Sequence, residues 1–588
     1  MAKHENNTVI TGIPASPGIV IGKAYVRKED SDTFVPRTLI RSEQINDELQ
    51  RLKKAQDMVA EELELLRKKI IHHLGTSYSD IISAQLAILK DDQLWREVEN
   101  YMREHHVNVA FAYRFVVNQY IEVLEEHESE YFRERVADIR DIKQRVLRAL
   151  ISKQTVLSSL EIDEPAIYVA RDLNPTDIML LVSENVVGFV TEFGGKTSHV
   201  AIMARAMKVP MIIGVKDAGY RIESGQTLIL DADHRKVIAG PNDEILDEMK
   251  REIRILEEQE KSFQAAHNKK SITTDGYRLK LSANISFPLE VNDVKKYGAE
   301  GIGLYRTEYL YLMKQNLPSE EELFNEYRHV VESMNGKQVI IRTIDLGGDK
   351  MSALWNTDVR CEANPFMGYR AIRICLDNPP VFITQLRAIL RSSAFGEVAV
   401  MLPMITHVEE LTESLEHIND VKQALEDENI PHDRSIKVGM MVETPAAVIN
   451  IEAFADKIDF LSIGTNDLTQ YSLAVDRGNE RVVNIYDHFD PAILKMIKTV
   501  VDAGRKYEVP VYVCGEMASE SPALLLLLAM KIDGVSVSPR YIGSVRRFIN
   551  ESSQKDAENQ LEKILGLETR REISDHLNTL LKKHSSKK

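Results

Sequence analysis

One short segment of this chain combines residue types that suit phosphoryl transfer, the run GGKTSH over residues 194–199. It separates a strand-like apolar run, 185–190, from a helix-like run, 200–207. The two glycines leave backbone N–H groups open to an anion, and Thr197 and Ser198 are natural helix N-cap residues. His199 would then lie in the first turn of a helix, where the dipole favours a neutral imidazole and an approaching anion. We therefore interpret His199 as a nucleophile that attacks phosphorus and carries the phosphoryl group.

A second group of candidate residues follows predicted strands in the C-terminal half of the chain. These are Arg306, Arg342, Glu443, Asn466, Asp467, Arg477 and Cys514. Arginine binds phosphate or carboxylate through paired hydrogen bonds. Glu443 and Asp467 follow neighbouring strands and can share one Mg²⁺ ion, whose remaining positions go to water and a substrate phosphate. The predicted substrate is small, strongly anionic and metal-bound.

Each of these candidates also has an ordinary structural explanation. A single histidine at a helix start is usually a capping or surface residue, and a single arginine or glutamate usually forms a surface ion pair. A cysteine on a barrel strand is more often a small buried apolar residue. Cys514 can also act as a general acid, because a free thiol with a pKa of about 8.5 is mostly protonated at neutral pH. The functional interpretation is favoured because these side chains follow the strands of one predicted barrel.

The elements that must position His199 lie in the first 241 residues. Residues 8–27 read as short strands broken by Gly and Pro, and strand and helix patterns return over 155–240. Between them, apolar residues recur at helical spacing, which predicts helices near 42–70, 79–90, 94–105, 108–126 and 130–151. We therefore expect an α/β domain built from 1–30 and 153–241, with an α-helical subdomain, 31–152, inserted into it.

The elements that position the second group form a predicted barrel. Residues 242–265 are charged with helical apolar spacing, which predicts a linker helix. Residues 266–588 contain eight short apolar runs, at 279–285, 301–305, 339–344, 398–403, 438–442, 460–463, 510–514 and 534–537. Helical patterns separate most of them, which is typical of a (β/α)₈ TIM barrel, where reactive groups gather at the carboxyl ends of the strands. The predicted fold class is therefore multidomain α/β.

Composition excludes several other classes of protein. The 588 residues carry a formal charge of −16, which argues against nucleic acid as the main ligand. The three cysteines, Cys361, Cys375 and Cys514, form no CxxC pair, so zinc and disulfide frameworks are not expected. The longest apolar run, 522–530, is too short to cross a bilayer, and no apolar signal segment begins the sequence. We expect a cytoplasmic protein without membrane insertion.

Eight motifs in order resemble the enzyme I family of the bacterial phosphotransferase system, a branch of the phosphoenolpyruvate (PEP)-utilising enzymes. They are GIPASPGIVIGKA (12–24), GGKTSHVAIMAR (194–205), GAEGIGLYRTEYL (298–310), IRTIDLGGDK (341–350), NPFMGYRAIR (364–373), MVETPAA (441–447), SIGTNDLTQYSLAVDRGN (462–479) and CGEMAS (514–519). The resemblance covers nearly the full length of the chain. It implies a PEP–protein phosphotransferase of sugar transport, with a swivelling phosphohistidine domain and a PEP-binding barrel.

The resemblance also implies a role for each candidate residue. His199 resembles the histidine that is phosphorylated on Nε2, Cys514 the proton donor, and Glu443 with Asp467 the Mg²⁺ ligands. The residues that resemble the PEP-binding set are Arg306, Arg342, Asn466, Asp467 and Arg477. The family docks the histidine phosphocarrier protein HPr on the helical subdomain and forms a homodimer through the barrel.

Three departures from the family pattern leave the acceptor open. Lys196 stands where the family usually has arginine, and Gln85 where it usually has histidine. Thr76-Ser77-Tyr78-Ser79 replaces a segment that is often acidic. The last two positions lie in the predicted carrier-docking subdomain, so they leave open which carrier protein is the acceptor, with HPr as the expected one, and do not affect the chemistry. A nitrogen-related or regulatory enzyme acting on another HPr-like carrier, or a non-catalytic PEP-binding protein, remains an alternative.

Overall fold

The computed structural model describes residues 8–27, 35–74, 80–125, 130–152, 162, 164–173, 175–182, 185–195, 199–265, 267, 269–312, 317–347, 367–477, 479 and 481–586. The chain divides into two compact units, Met1–Leu256 and Glu257–Lys588. Each unit is described by itself below.

Five helices form the α-helical insertion of the N-terminal unit. They are α1 (Ile45–Leu74), α2 (Asp80–Leu89), α3 (Asp92–His105), α4 (Val109–Glu125) and α5 (Glu130–Ser152). The apolar positions at helical spacing are the buried ones, among them Val59, Leu63 and Leu66 on α1. The Asp91 side chain accepts a hydrogen bond from the backbone N–H of Gln93 and caps α3. The helical periodicity in the sequence is therefore explained by burial of one face of each helix.

An eight-stranded sheet forms the rest of this unit. Its strands are β1 (Thr8–Thr11), β2 (Ile13–Ser16), β3 (Ile19–Val26), β4 (Ala166–Ala170), β5 (Val186–Thr191), β6 (Met211–Ile213), β7 (Thr227–Asp231) and β8 (Lys236–Ala239). The order is β1-β8-β7-β3-β4-β5-β6-β2, with β3 to β6 parallel to one another. Strands from before and after the five helices thus share one sheet, which confirms the predicted α/β fold with a helical insertion.

Four helices accompany or follow this sheet. They are α6 (Pro175–Val182), α7 (His199–Ala206), α8 (Ala218–Arg221) and α9 (Asp243–Ala265). Helix α9 occupies the predicted linker segment, and the boundary between the two units falls within it. His199 is the first residue of α7. Its side chain and the residues Lys196, Thr197 and Ser198 lie outside what the structure describes, so the predicted N-cap stays a prediction.

The C-terminal unit is a closed parallel barrel of eight strands. They are β9 (Lys280–Ile285), β10 (Ile302–Tyr305), β11 (Val339–Arg342), β12 (Val398–Leu402), β13 (Lys437–Val442), β14 (Phe460–Ile463), β15 (Val511–Val513) and β16 (Gly534–Val537). Each predicted strand overlaps one of these, which confirms the predicted TIM barrel. Alternate strand residues pack into one buried cluster, formed by Leu304, Ile340, Ala399, Met401, Met441, Phe460 and Cys514.

Helices surround this barrel, as the patterns between the strands predict. They are α10 (Val291–Lys296), α11 (Tyr309–Leu312), α12 (Glu320–Ser333), α13 (Ile372–Asp377), α14 (Pro379–Ser392), α15 (Val408–Asp427), α16 (Pro445–Ile449), α17 (Ile451–Ala455), α18 (Thr465–Ser472), α19 (Pro491–Tyr507), α20 (Ser521–Met530), α21 (Ile542–Glu551), α22 (Gln554–Leu565) and α23 (Arg570–Ser586). In the part of the chain that the structure describes, no helix combines the length and apolar character needed to traverse a bilayer.

A buried ionic cluster joins the helical insertion to the sheet domain. The Arg145 side chain, on α5, donates to Glu62 at 3.2 Å and to Asp141 at 2.9 Å, and lies 4.0 Å from Asp177 on α6. Arg27, which follows β3, pairs with the other Asp177 oxygen at 3.2 Å. Buried charges are expensive unless paired, so these contacts hold α1, α5 and α6 in one arrangement.

The Gln85 side chain belongs to this cluster. The Gln85 side chain is buried and donates from Nε2 to Asp141 Oδ2 at 3.1 Å. It therefore supports the ionic cluster from a buried position in the helical insertion, and the identity of the acceptor carrier stays open. The other departure, Thr76-Ser77-Tyr78-Ser79, lies outside the described residues.

The cluster generates a stability prediction. We expect Arg145→Met to lower the free energy of unfolding of the N-terminal unit by about 3–5 kcal/mol, because it removes the buried cation that pairs with Glu62 and Asp141. Urea unfolding followed by Trp95 fluorescence, in a Trp355→Phe background, measures this change. The matched control is Arg103→Met, which removes an exposed pair with Glu99 and should cost about 1 kcal/mol or less. Equal losses in the two variants would show that the cluster contributes no more than a surface pair.

Candidate active site at the carboxyl ends of the barrel strands

The barrel brings the predicted residues of its half of the chain to one end. Arg342 is the last residue of β11, and the others follow strand ends: Arg306 after β10, Glu443 after β13, Asn466 and Asp467 in the first turn of α18 after β14, and Cys514 after β15. Because all eight strands are parallel, their carboxyl ends meet at the same rim. Arg477 lies beyond α18 and is exposed. The structure thus brings the six strand-end residues to one rim, and the roles of all seven candidates stay a proposal.

Arg342 is the most tightly held cation of this rim. Its Nη2 donates to Glu308 Oε1 at 2.8 Å, and its Nη1 pairs with Asp345 Oδ2 at 2.8 Å. The Nε–H group is buried and has no hydrogen-bond partner among the residues that the structure describes. An unsatisfied buried N–H on a charged group is costly, so it marks a place where an anion or water can bind.

Arg370 is a second buried arginine that the strand-end pattern did not identify. It donates from Nη2 to Asp345 Oδ1 at 2.6 Å and from Nη1 to the Tyr471 hydroxyl at 3.0 Å. Burial alone would raise the pKa of Asp345, but the charges of Arg342 and Arg370 outweigh burial and hold it below its ordinary value. Arg370 follows no strand directly, because a long segment separates it from β11. The signal available was its place in the motif over 364–373.

Glu443 is a buried carboxylate with one unused oxygen. Its Oε1 accepts the backbone N–H of Met404 at 2.7 Å, and its Oε2 has no hydrogen-bond partner within the described residues. Burial raises the pKa of Glu443, and the negative charges of Asp467 and Asp345 raise it further. A cation between Glu443 and Asp467 would reverse that effect. No group of three or more His, Cys, Asp or Glu side chains that could hold a metal occurs in the described ranges, so a metal here would need ligands from water or substrate.

Cys514 lies against the apolar cluster of the barrel. Its side chain is buried, and Sγ lies 3.6 Å from the carbonyl oxygen of Ile463, to which the thiol donates. Burial raises the pKa of this thiol. The site therefore keeps a proton on sulfur at neutral pH, as a general acid requires.

Hydrogen bonds connect the segments that follow β14 and β15. The Asn466 side-chain oxygen accepts the backbone N–H of Glu516 at 3.1 Å. The Tyr486 hydroxyl donates to the carbonyl oxygen of Asn466 at 3.3 Å and also makes a hydrogen bond with the Arg477 side chain. These contacts connect the exposed Arg477 to the turn that carries Asn466 and Asp467.

Arg306 adds a third positive charge to the rim. It is partly exposed, and its backbone N–H donates to the carbonyl oxygen of Ile285 at 2.9 Å. Its positive charge contributes to holding the pKa of Asp345 below its ordinary value, and it partly opposes the rise that burial causes in the pKa of Cys514. Arg306, Arg342 and Arg370 therefore bring three positive charges to a rim that also carries the Cys514 thiol and four carboxylates, of which two, Glu308 and Asp345, pair with arginines. We call this rim the anion-attracting region.

Three family profiles match this chain. The PEP-utilising enzyme N-terminal domain covers residues 11–135, the mobile domain of these enzymes covers 162–235, and the PEP-binding domain covers 260–554. The chain belongs to the PEP-utilising enzymes. The match to the PEP-binding domain spans the whole barrel, including every strand-end residue described above.

Curated relatives narrow the family membership. A protein of Haemophilus influenzae named phosphoenolpyruvate-protein phosphotransferase is 39% identical over 98% of this chain and 100% of its own length. Proteins with the same name from Bacillus subtilis and Priestia megaterium are 40% and 38% identical over 96% of this chain, covering 98% and 97% of their own lengths. Within the PEP-utilising enzymes, the chain therefore belongs with the PEP–protein phosphotransferases.

The turn after β15 generates a prediction about this PEP-utilising site. A Cβ at Gly515 would overlap Thr465 Oγ1 and lie 3.0 Å from the Thr465 backbone nitrogen. Gly515→Ala must therefore push the Cys514 turn away from the start of α18, and we expect PEP affinity to fall about tenfold or more. Isothermal titration calorimetry measures this change.

The control for this variant is Gly566→Ala. A Cβ there meets nothing closer than 3.4 Å, which is an ordinary contact. We expect this variant to bind PEP with the affinity of the wild type. If Gly515→Ala also does so, the close approach of the two loops is not what shapes the site.

Proposed function

We propose that this protein is a PEP–protein phosphotransferase that moves the phosphoryl group of PEP to His199 and then to a histidine of an HPr-like phosphocarrier protein. Pyruvate is the second product, and the reaction is the first step of sugar uptake by the phosphotransferase system. The proposal is supported by the curated relatives named above, which align with nearly the full chain.

One observation of the structure carries this proposal. The Arg342 guanidinium is buried with an unused Nε–H, and its charge acts on Glu443, a buried carboxylate with an unused oxygen. Leaving either polar atom buried without a partner costs free energy. A bound phosphate would accept the Arg342 Nε–H, and the cation that accompanies it would bind the unused Glu443 oxygen. Arg306, Asn466, Asp467 and Arg477 lie at the same rim or are linked to it and are the other proposed PEP ligands. Buried polar groups that serve only structure are nearly always hydrogen-bonded, so two charged groups that each keep an unused polar atom at one rim support a binding role.

We assign the metal ligands to Glu443 and Asp467. The two carboxylates fit the few protein ligands that Mg²⁺ takes in phosphate-binding sites. When bound, Mg²⁺ would neutralise phosphate charge and orient the phosphoryl group. The arginines bind the phosphate oxygens and stabilise the charge that develops there during transfer.

The transfer itself is assigned to His199. The neutral imidazole attacks phosphorus in line through Nε2, so an N–P bond forms while the bond from phosphorus to the enol oxygen breaks. The leaving group is the enolate of pyruvate. His199 lies in the N-terminal unit, so the scheme requires this residue to reach the barrel rim and afterwards the carrier; α9 is the segment that joins the two units.

The enolate is protonated by Cys514 in this scheme. The thiol gives its proton to the methylene carbon, which yields pyruvate, and the resulting thiolate takes a proton back from solvent. The raised pKa of Cys514 supports this assignment, because it keeps the proton in place until a strong carbon base forms.

The remaining assignments concern partners and organisation. We propose that residues 31–152 dock the carrier, that 1–30 with 153–241 form the phosphohistidine domain, that 242–265 link it to the barrel, and that 266–588 form the PEP-binding and dimerisation domain.

The protein is proposed to be a cytoplasmic homodimer. Sedimentation equilibrium of full-length protein and of the isolated 266–588 segment tests the dimer, and a monomer in both would refute it. Cell fractionation tests the location, and recovery in the membrane fraction would refute it.

A labelling experiment tests the central assignment. Purified protein is incubated with Mg²⁺ and PEP carrying labelled phosphorus. We expect an acid-labile, base-stable label on the protein, release of pyruvate, and loss of the label in His199→Ala and when Mg²⁺ is chelated. His234→Ala, which changes a histidine with an Asp231 partner in the same unit, is the matched control and should keep the label. A label that survives His199→Ala would remove the central assignment.

A comparison of half-reactions tests the proton donor. We expect Cys514→Ala to slow phosphorylation of His199 by PEP by about 100-fold or more, since general acid catalysis typically contributes that much. Transfer of the phosphoryl group from His199 to the carrier should keep its wild-type rate, because it forms no enolate. Rapid-quench kinetics of the two steps measures both rates, with Cys375→Ala as the control for loss of a buried thiol. Equal slowing of both steps would count against Cys514 as the proton source.

A further inference from the structure

We infer that Gln385 is a positioning residue that holds the two arginine-bearing strand ends of the barrel, β10 and β11, in register. It lies on α14, outside the barrel wall, and is fully buried. This inference rests on the proposed function, because the arginines it positions are the proposed PEP ligands.

The Gln385 side chain uses each of its polar hydrogens and its oxygen. Nε2 donates to Thr307 Oγ1 at 3.1 Å and to the Tyr327 hydroxyl at 3.1 Å. Oε1 accepts the backbone N–H of Ile344 at 2.9 Å. One amide on a helix therefore contacts the segment after β10, the segment after β11 and α12.

The hydroxyl group of Thr307 links Gln385 to the end of β11 through two hydrogen bonds. Its hydroxyl accepts from Gln385 and donates to the carbonyl oxygen of Arg342 at 3.0 Å. Thr307 is the neighbour of Arg306 in the chain, and Ile344 is the neighbour of Asp345, which pairs with Arg342. The amide thus sits between the backbones of the groups that form the anion-attracting region.

The strand ladder alone does not fix this arrangement. The pairing of β10 with β11 shifts register between Ile302 and Tyr305, and Tyr305 opposite Ile341 is the last pair. Beyond it, backbone groups of Arg342 and Ile344 find their partners in Thr307 and Gln385. Buried backbone groups need such partners, so the side chains replace the missing ladder bonds.

The chemistry of an amide explains why this residue is a glutamine. Only an amide presents two donors and an acceptor from one planar group. A methionine of similar length fills the space but offers neither, so the segments carrying Arg306 and Arg342 lose their common support. A misplacement of about 1 Å in a phosphate site can cost about 100-fold in rate.

The test separates positioning from a general loss of packing. Gln385→Met is compared with Gln554→Met, a matched control in which another buried glutamine, on α22, donates to Leu528 and Glu558. We expect similar drops in melting temperature for the two variants. Only Gln385→Met should raise the KM for PEP about tenfold or more and lower kcat for pyruvate release about 100-fold. Transfer from phosphorylated His199 to the carrier should be unchanged in both.

A second pair of variants keeps the inference falsifiable if Gln385→Met does not fold. Thr307→Val removes the hydroxyl while keeping the shape, and Thr307→Ser restores it. We expect Thr307→Val to reproduce the rise in KM and Thr307→Ser to recover most of the wild-type value.

The outcomes distinguish this inference from the proposed function. If the wild type takes no label from PEP, the proposed function fails, and PEP affinity measured by calorimetry still decides the inference through the same variants. If the wild type is labelled but Gln385→Met changes the KM for PEP and kcat, relative to the wild type, no more than Gln554→Met does, the inference is overturned. It is also overturned if Thr307→Val raises the KM for PEP and Thr307→Ser does not bring it back towards the wild-type value.

Discussion

A guanidinium buried at the end of a barrel loses its hydration, and Arg342 is stable there because Glu308 and Asp345 each accept one of its N–H groups. Desolvation alone would lower the pKa of Arg342, but the charges of these carboxylates raise it, so the residue is permanently a cation. Asp345 also pairs with Arg370, and its backbone N–H donates to Glu308 at 3.2 Å. The positive charge and its unused N–H are therefore in place before any anion binds, which is the preorganisation that phosphoryl transfer requires.

The closed parallel barrel supplies the frame for this charge. Residues that are far apart in the chain, such as Arg306, Glu443 and Cys514, meet because every strand delivers its carboxyl end to the same rim. The apolar cluster that includes Leu304, Met441 and Cys514 is buried and includes residues of several of these strands. Electrostatic interactions at the rim are stronger for that reason, since they are not screened from the barrel side.

The sequence allowed the fold to be predicted closely because its elements are bounded by strong local signals. Helix patterns at 94–105 and 108–126 correspond to Asp92–His105 and Val109–Glu125, and the eight apolar runs each overlap a barrel strand. Strand-end residues such as Glu443 could be predicted because their position follows from a single strand. Arg370 and Gln385 could not, since their contacts with Asp345 and Ile344 depend on loops and helices that only the tertiary structure brings together. The same limit explains Gln85, whose burial beside Asp141 depends on the packing of α2 against α5.

Desolvation acts on Cys514 and Glu443 in the same direction but with different consequences. Burial favours the neutral form of both groups and raises both pKa values. For the thiol this is useful without any further partner, because a protonated sulfur is the form that can give up a proton. For the carboxylate it is a cost, because a neutral acid binds a hard cation poorly, and the neighbouring charge of Asp467 increases that cost. A divalent cation bound by Glu443, as proposed above, would remove this penalty, because its charge would favour the ionised carboxylate.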